Sequence, residues 1–297
     1  MDNMRFFPFK VRSFSSPVTG ILCMMGGALS LTVNDAMAKY LTQFYPVGQV
    51  MALRGISILI LLTIFLVLRK KQHTLRIKSW KNQLLRAGAM TGSTFCFITG
   101  LSLMPIADAI AIAFAAPILT TILGIVILKE TVGWKHWAAI FIGFLGVIII
   151  VQPTGDAFKI AALAPLGAAA FGAVRDVVTR LISTSETTIS ILFTSMVMIT
   201  VVGFTTYPFG WSKVALEHIW IFMASSILVG LAQYLMIEAF RLGQVALISP
   251  FKYSSLLWAI FIGAFIWGDL PDTVVMSGAT LLILSGVYLL RSEVKET

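Results

Sequence analysis

The chain has 297 residues, of which 58% are hydrophobic and only 12% charged, with a mean hydropathy of +0.92. Soluble domains carry about 25% charged residues, so a water-soluble globule is excluded and lipid is the solvent that fits. The formal net charge is +9, but the basic residues sit in short gaps between apolar runs. That is a topology pattern rather than a phosphate-binding face, and it speaks against nucleic acid as a partner.

The chain opens on a basic stretch with Arg5, Lys10 and Arg12. The apolar run after it exceeds the core of a signal peptide and further runs follow, so it reads as an uncleaved first helix. A spanning helix needs about 20 mainly apolar residues. On that measure helices are predicted over 18–40, 47–68, 84–103, 107–128, 135–151, 160–181, 187–207, 219–240, 246–267 and 273–290. The expected fold is an all-α membrane bundle of ten transmembrane helices without a soluble domain. Trp80, Trp134, Trp137, Trp211, Trp220 and Trp267 fall near predicted helix ends, and Trp258 alone lies mid-span. Cys23 and Cys96 lie within apolar runs, with no disulfide or metal spacing. His73, His136 and His218 fall in loops or at their edges. No metal, cofactor or catalytic residue is expected.

Lysine and arginine alternate between dense and sparse gaps. With the N-terminal three, one set holds Arg69, Lys70, Lys71, Arg76, Lys78, Lys81 and Arg86, then Lys129, Lys135, Arg180, Arg241, Arg291 and Lys295, sixteen in all. The opposite gaps hold two, Lys159 and Lys213. By the positive-inside rule both termini face the cytoplasm.

The two halves, 18–151 and 160–290, echo each other. Asn34-Asp35 with Lys39 matches Arg175-Asp176 with Arg180 at an offset of 141 residues. Lys129-Glu130 matches Gly268-Asp269 at 139, and Gly146-Val147 matches Gly286-Val287 at 140. Five helices per copy force the second copy to enter the membrane from the other side, the inverted-repeat device of secondary transporters.

The run from Pro105 through Phe114 and Pro117, continuing to Glu130, Trp134, Gly143, Gly146 and Pro153, resembles the EamA repeat of the drug/metabolite transporter superfamily. The stretch from Ala246 through Pro250, Lys252, Tyr253 and Trp258 to Asp269 resembles that family's second repeat, and the likeness covers nearly the whole chain after residue 17. The resemblance implies a ten-helix bundle with a central cavity. Asn34 to Lys39 and Pro250 to Tyr253 are most similar to bacterial members that take up S-adenosylmethionine; other members resemble exporters of amino acids and metabolites. The second repeat departs from the first, with Leu256 where alignment puts the partner of Pro117.

Charges inside membrane helices are the first candidates for function, since each costs about 2.5–3.5 kcal/mol at a helix centre. Asp35 and Lys39 share a helix face, as do Asp176 and Arg180. Either pair ties helices together or lines a cavity and exchanges partners with a charged solute. Lys39 and Arg180 lie near helix ends and can snorkel; the two aspartates are deeper. Arg54 either snorkels to the interface or clamps a carboxylate or phosphate. Asp108 suits the N-terminal dipole of the fourth helix. Gln233 and Glu238 are five apart, and Glu238 with Arg241 reads as a surface ion pair. Lys252 and Tyr253 follow Pro250, which removes a backbone donor. That loosened segment, with Trp258 and Phe114, suits an amphipathic or aromatic solute; the plain alternative is a packing kink with Trp258 toward lipid. Pro117 and Pro250 are candidate hinges.

These features point to a secondary carrier working by alternating access. The expected partners are a small-molecule solute and the lipid bilayer, and a homo-oligomer is compatible with the sequence. The chain has no Gly-x-x-x-x-Gly-Lys-Ser/Thr loop, so energy comes from a gradient, exchange or an associated protein. An intramembrane aspartyl enzyme fits poorly, because each aspartate has a base one turn away and a protease pair must share a proton. A non-transporting scaffold requires a bundle without a solvated cavity.

Overall fold

The computed structural model describes residues 16–103, 109, 112–151, 160–267 and 273–296. Pro105, Asp108, Pro153, Lys159 and Asp269 lie outside the described residues. Within them every regular element is helical, with no strand. The helices are α1 (Ser16–Leu41), α2 (Val47–Leu68), α3 (Trp80–Leu103), α4 (Ala116–Leu128), α5 (Trp134–Val151), α6 (Leu163–Ile182), α7 (Thr188–Thr205), α8 (Leu216–Leu242), α9 (Ser254–Trp267) and α10 (Thr273–Glu296). Among the described residues six helical stretches are long and apolar enough to cross a membrane: α1, α2, α6, α7, α8 and the segment Val245–Ile262. Three shorter apolar helices correspond to α4, α5 and α10. The protein is a multi-pass membrane protein.

Two predicted helices are interrupted where proline falls. Over 107–128 the chain turns at 114–115 and α4 starts at Ala116, so Pro117 stands in its first turn. Proline is pre-organised for that place, where its missing N–H has no intrahelical partner. Pro117 therefore opens a helix rather than bending one. Over 246–267 a helical turn, Val245–Ile248, passes into a 3-10 stretch, Ser249–Tyr253, before α9. Pro250 is the second residue of that 3-10 stretch.

Helix α1 packs along α8, and α6 along α3. Helices α2 and α7 face each other, as do α5 and α10. Contacts of α3 with α7, α2 with α8, α1 with α9 and α4 with α6 complete the bundle. Lipid tails are as apolar as leucine, so close van der Waals packing rather than water exclusion holds such helices together. Ile21 and Met24 of α1 meet Met236 and Phe240 of α8, and Met51 and Ile58 of α2 meet Met196 and Ile199 of α7.

Two crossings depend on missing side chains. Gly146 on α5 and Gly278 on α10 face each other's carbonyl oxygens, and a Cβ on either meets the other's oxygen at 2.8 Å. A Cβ on Gly203 of α7 meets the backbone nitrogen of Ala52 on α2 at 2.7 Å. Backbone cannot rotate away as a side chain can. We expect Gly203→Ala to destabilise the bundle by about 1–3 kcal/mol through overpacking. Thermal unfolding of detergent-solubilised protein measures it, and an unchanged midpoint refutes the crossing.

Candidate functional site

Two polar clusters lie inside the bundle. In the first, Asn34 and Asp35 come from α1, Arg54 from α2, and Ser225 and Ser226 from α8. Arg54 donates through a terminal nitrogen to Asn34 Oδ1 at 2.5 Å, and Ser225 Oγ donates to the same oxygen at 2.8 Å. Asn34 Nδ2 donates to Asp35 Oδ1 at 3.1 Å. Ser226 Oγ donates to the carbonyl of Arg54 itself. Arg54 is only 7% exposed and does not snorkel. It is the cation that acts on Asp35, whereas Lys39, four residues along, reaches the Leu101 carbonyl at the end of α3.

The second cluster joins Arg175, Asp176 and Thr179 of α6 to Arg86 of α3, Ser195 of α7 and Lys252. Arg175 donates twice to Asp176 Oδ1, at 2.8 and 2.9 Å, and Lys252 binds Oδ2. Arg86 donates to Thr179 Oγ1 at 2.7 Å and to Ser195 Oγ. Asp176 thus pairs with Arg175 and Lys252 and not with Arg180. Arg180 instead donates to the carbonyls of Phe240 and Arg241 at the end of α8, at 3.1 and 3.0 Å. Long basic side chains reach the last, otherwise unpaired, carbonyls of a neighbouring helix, which draws Lys39 and Arg180 off their predicted partners.

The remaining candidates are spread around these clusters. Phe114 and Tyr253 meet edge to face at 5.4 Å, and the Tyr253 hydroxyl donates to the Phe114 carbonyl at 3.3 Å. Trp258 does not turn to lipid; its indole nitrogen donates to the Met25 carbonyl of α1 at 3.1 Å. Gln233 is buried in α8. Glu238 lies 3.7 Å from Arg241 in a half-buried pair and also accepts from Thr188. Arg86, counted above as a loop flank, is 2% exposed. Its place three residues inside the predicted 84–103 run was the signal, and the strong charge asymmetry survives its removal.

A cavity of about 30 Å³ lies between α2, α3, α7 and α8, lined by Met51, Arg54, Gly55, Met90, Thr94, Met196, Ile199 and Val229. It has room for water and none for a metabolite. Both ends of the bundle beside it are tied shut. At one end Gln49 exchanges two hydrogen bonds with the backbone of Ser212, at 2.7 and 2.9 Å. There Tyr45 Oη accepts from Ala215 N–H at 3.1 Å and lies 2.7 Å from His218 Nδ1. At the other end the buried Glu186 carboxylate accepts from the N–H groups of Lys78 and Ser79, at 2.8 and 2.7 Å, and Gln83 donates to Ser190 Oγ at 3.1 Å. On that same end a cleft of about 350 Å³ opens beside Lys129, Glu130, Arg180 and Gln244.

The Glu130 carboxylate accepts from the N–H groups of Val245 and Ala246, both at 3.0 Å, and so caps the turn that leads into Pro250. We expect Glu130→Ala to lower stability by about 1.5–3 kcal/mol, the worth of hydrogen bonds to a charged group. Thermal unfolding reads it, and a wild-type midpoint rejects the cap.

Residues 18–152 match the EamA-like transporter family. The S-adenosylmethionine uptake transporter of Rickettsia bellii is 26% identical over 93% of this chain and 94% of its own length. The riboflavin transporter of Vibrio cholerae is 25% identical over 95% and 96%. The pseudopaline exporter of Pseudomonas aeruginosa is 21% identical over 93% and 97%. A solved protein structure superposes with a TM-score of 0.78 at 17% identity, covering 93% of this chain and 98% of that one, and shares the fold.

Proposed function

We propose that the chain is a secondary carrier, a reading supported by the match of residues 18–152 to the EamA-like transporter family and by relatives named as transporters. It moves a small polar or amphipathic metabolite by alternating access between two inverted five-helix repeats, 18–151 and 160–290, that make ten spans. The observation that carries this reading is the pair of ties around the central cavity. Tyr45 and Gln49 at one end stand 141 residues before Glu186 and Ser190 at the other. Each pair grips the start of the helix and loop that faces it. The packing supports the same symmetry. Exchanging α1–α5 with α6–α10 turns α1·α8 into α6·α3, α1·α9 into α6·α4 and α3·α7 into α8·α2, and leaves α2·α7 and α5·α10 as they are. Lys39 on the Leu101 carbonyl likewise becomes Arg180 on the Phe240 carbonyl. A device with two equivalent closures around one cavity has the parts to open each end in turn.

The membrane is the bacterial inner membrane, with both termini cytoplasmic, on the positive-inside asymmetry. S-adenosylmethionine uptake is the specific reading, supported by the names of the Rickettsia relatives and by the residues 34–39 and 250–253 that resemble such carriers. Export of amino acids or related metabolites is the alternative, favoured by the pseudopaline exporter among the relatives. Uptake of labelled S-adenosylmethionine into bacterial cells expressing the chain, beside cells expressing Asp35→Asn, tests this. Saturable uptake that falls about tenfold or more in the variant is expected, the loss of one charge-assisted contact. No uptake despite confirmed insertion removes this substrate and turns the question to export.

A further inference from the structure

We infer that the central cavity recognises a solute of the α-amino-acid class, with Arg54 taking its carboxylate and Asp35 its ammonium group. This rests on the carrier reading and names the chemistry its site selects.

The two polar clusters are not equally satisfied. Around Asp176 both carboxylate oxygens are bound, one by Arg175 and one by Lys252, and Arg86 has hydroxyl partners on two helices. Among the described residues no buried side-chain atom of that cluster is left without a partner. Around Arg54 the opposite holds. A guanidinium carries five donors; among the described residues Arg54 uses one, toward Asn34, and its buried Nε has no partner. The same side chain lines the cavity. A buried cation with unused donors is expensive, and a planar fork is the shape that binds a carboxylate. Asp35 follows Asn34 on α1, outside the lining of the closed cavity but within electrostatic reach of Arg54, and among the described residues it accepts one hydrogen bond, from Asn34. A phosphate dianion meets repulsion from Asp35, whereas a zwitterion meets an opposite charge at each end. The rest of the wall, with Met51, Met90 and Met196, is soft and adaptable and fits an apolar, aromatic or sulfur-bearing body. The cavity is closed in this state, so the solute enters when one end opens.

Binding to the purified full chain tests it, read by thermal shift and by displacement of labelled S-adenosylmethionine. The probes are S-adenosylmethionine, its decarboxylated analogue, which lacks only the carboxylate, and riboflavin, which has no amino-acid group. We expect the decarboxylated analogue to bind about ten- to hundredfold more weakly, one charge-assisted hydrogen bond's worth. Arg54→Gln abolishes that discrimination, and Arg54→Lys keeps part of it. Equal binding of both analogues, or of neither, overturns the inference, and this comparison on the wild-type chain stands even if Arg54→Gln does not fold. Riboflavin bound and carried into liposomes, with no α-amino-acid probe bound, overturns the carboxylate site and leaves the carrier. Discrimination by carboxylate without transport of any solute upholds the site and removes the carrier.

Discussion

Replacing Asp176 with asparagine destabilises the bundle by about 3–5 kcal/mol, the range for removing one member of a buried ion pair. Asp176 is 2% exposed and is the counter-charge for two cations that bind it directly, Arg175 and Lys252. Arg86 lies in the same cluster, fully buried. Asparagine keeps the volume and one acceptor but removes the charge, and its amide hydrogens have to face ammonium or guanidinium groups. On a chain of this size the loss lowers the unfolding midpoint by on the order of 10 °C. Adding Lys252→Met to Asp176→Asn removes the orphaned ammonium and restores part of the loss, so the two substitutions are strongly non-additive. Unfolding of the detergent-solubilised single and double variants measures this. A single variant that melts with the wild type, or strict additivity, shows that the cluster does not hold the bundle. Asp35→Asn makes the contrast. Among the described residues one hydrogen bond reaches its carboxylate, and asparagine retains an acceptor for it, so this variant inserts and folds while uptake falls.

The contrast between these two aspartates was only half legible in the sequence. Offset repeats marked both, and the apolar runs marked the six stretches long enough to span among the described residues, because length and hydropathy are set by the bilayer and read locally. The partners were not local. Lys39 and Arg180 had the right spacing to neutralise Asp35 and Asp176 along one helix, yet each extends to the carbonyl end of another helix. Nothing in a single sequence says which helix end lies opposite. Arg86 was hidden for the same reason, since its hydroxyl partners Thr179 and Ser195 are 93 and 109 residues away. The start of α3 at Trp80 follows the cap that Glu186 places on Lys78 and Ser79 from the far loop. Pro117 and Pro250 were read as hinges inside continuous helices, but whether a proline bends a helix or begins one depends on the residues before it.

The ties at the two ends yield the other large effect, a change in the side from which the cavity is reached. Gln49→Ala with Tyr45→Phe removes the side-chain grip on Ser212 and weakens the contact with Ala215 and His218, but touches nothing at the Glu186 end. States in which the first end is closed lose those bonds; the state in which it is open loses none. At about 0.5–1.5 kcal/mol for each net hydrogen bond, the four bonds lost shift the equilibrium by roughly thirtyfold or more toward opening at that end. Glu186→Ala does the same at the opposite end, and Glu186→Gln, which keeps an acceptor, does so less. On the proposed orientation the first end is outer and the second cytoplasmic. With Cys23 and Cys96 replaced, a cysteine at the cavity position Thr94 reports access to an impermeant thiol reagent. The Gln49/Tyr45 variant raises labelling from outside intact cells, and Glu186→Ala raises it in inside-out vesicles. A rise from both sides in either variant means general loosening, and no rise in either means the ties are not gates. Opposite, one-sided responses from residues that stand 141 apart in the sequence require two equivalent gates around one site, which neither a scaffold nor an enzyme needs.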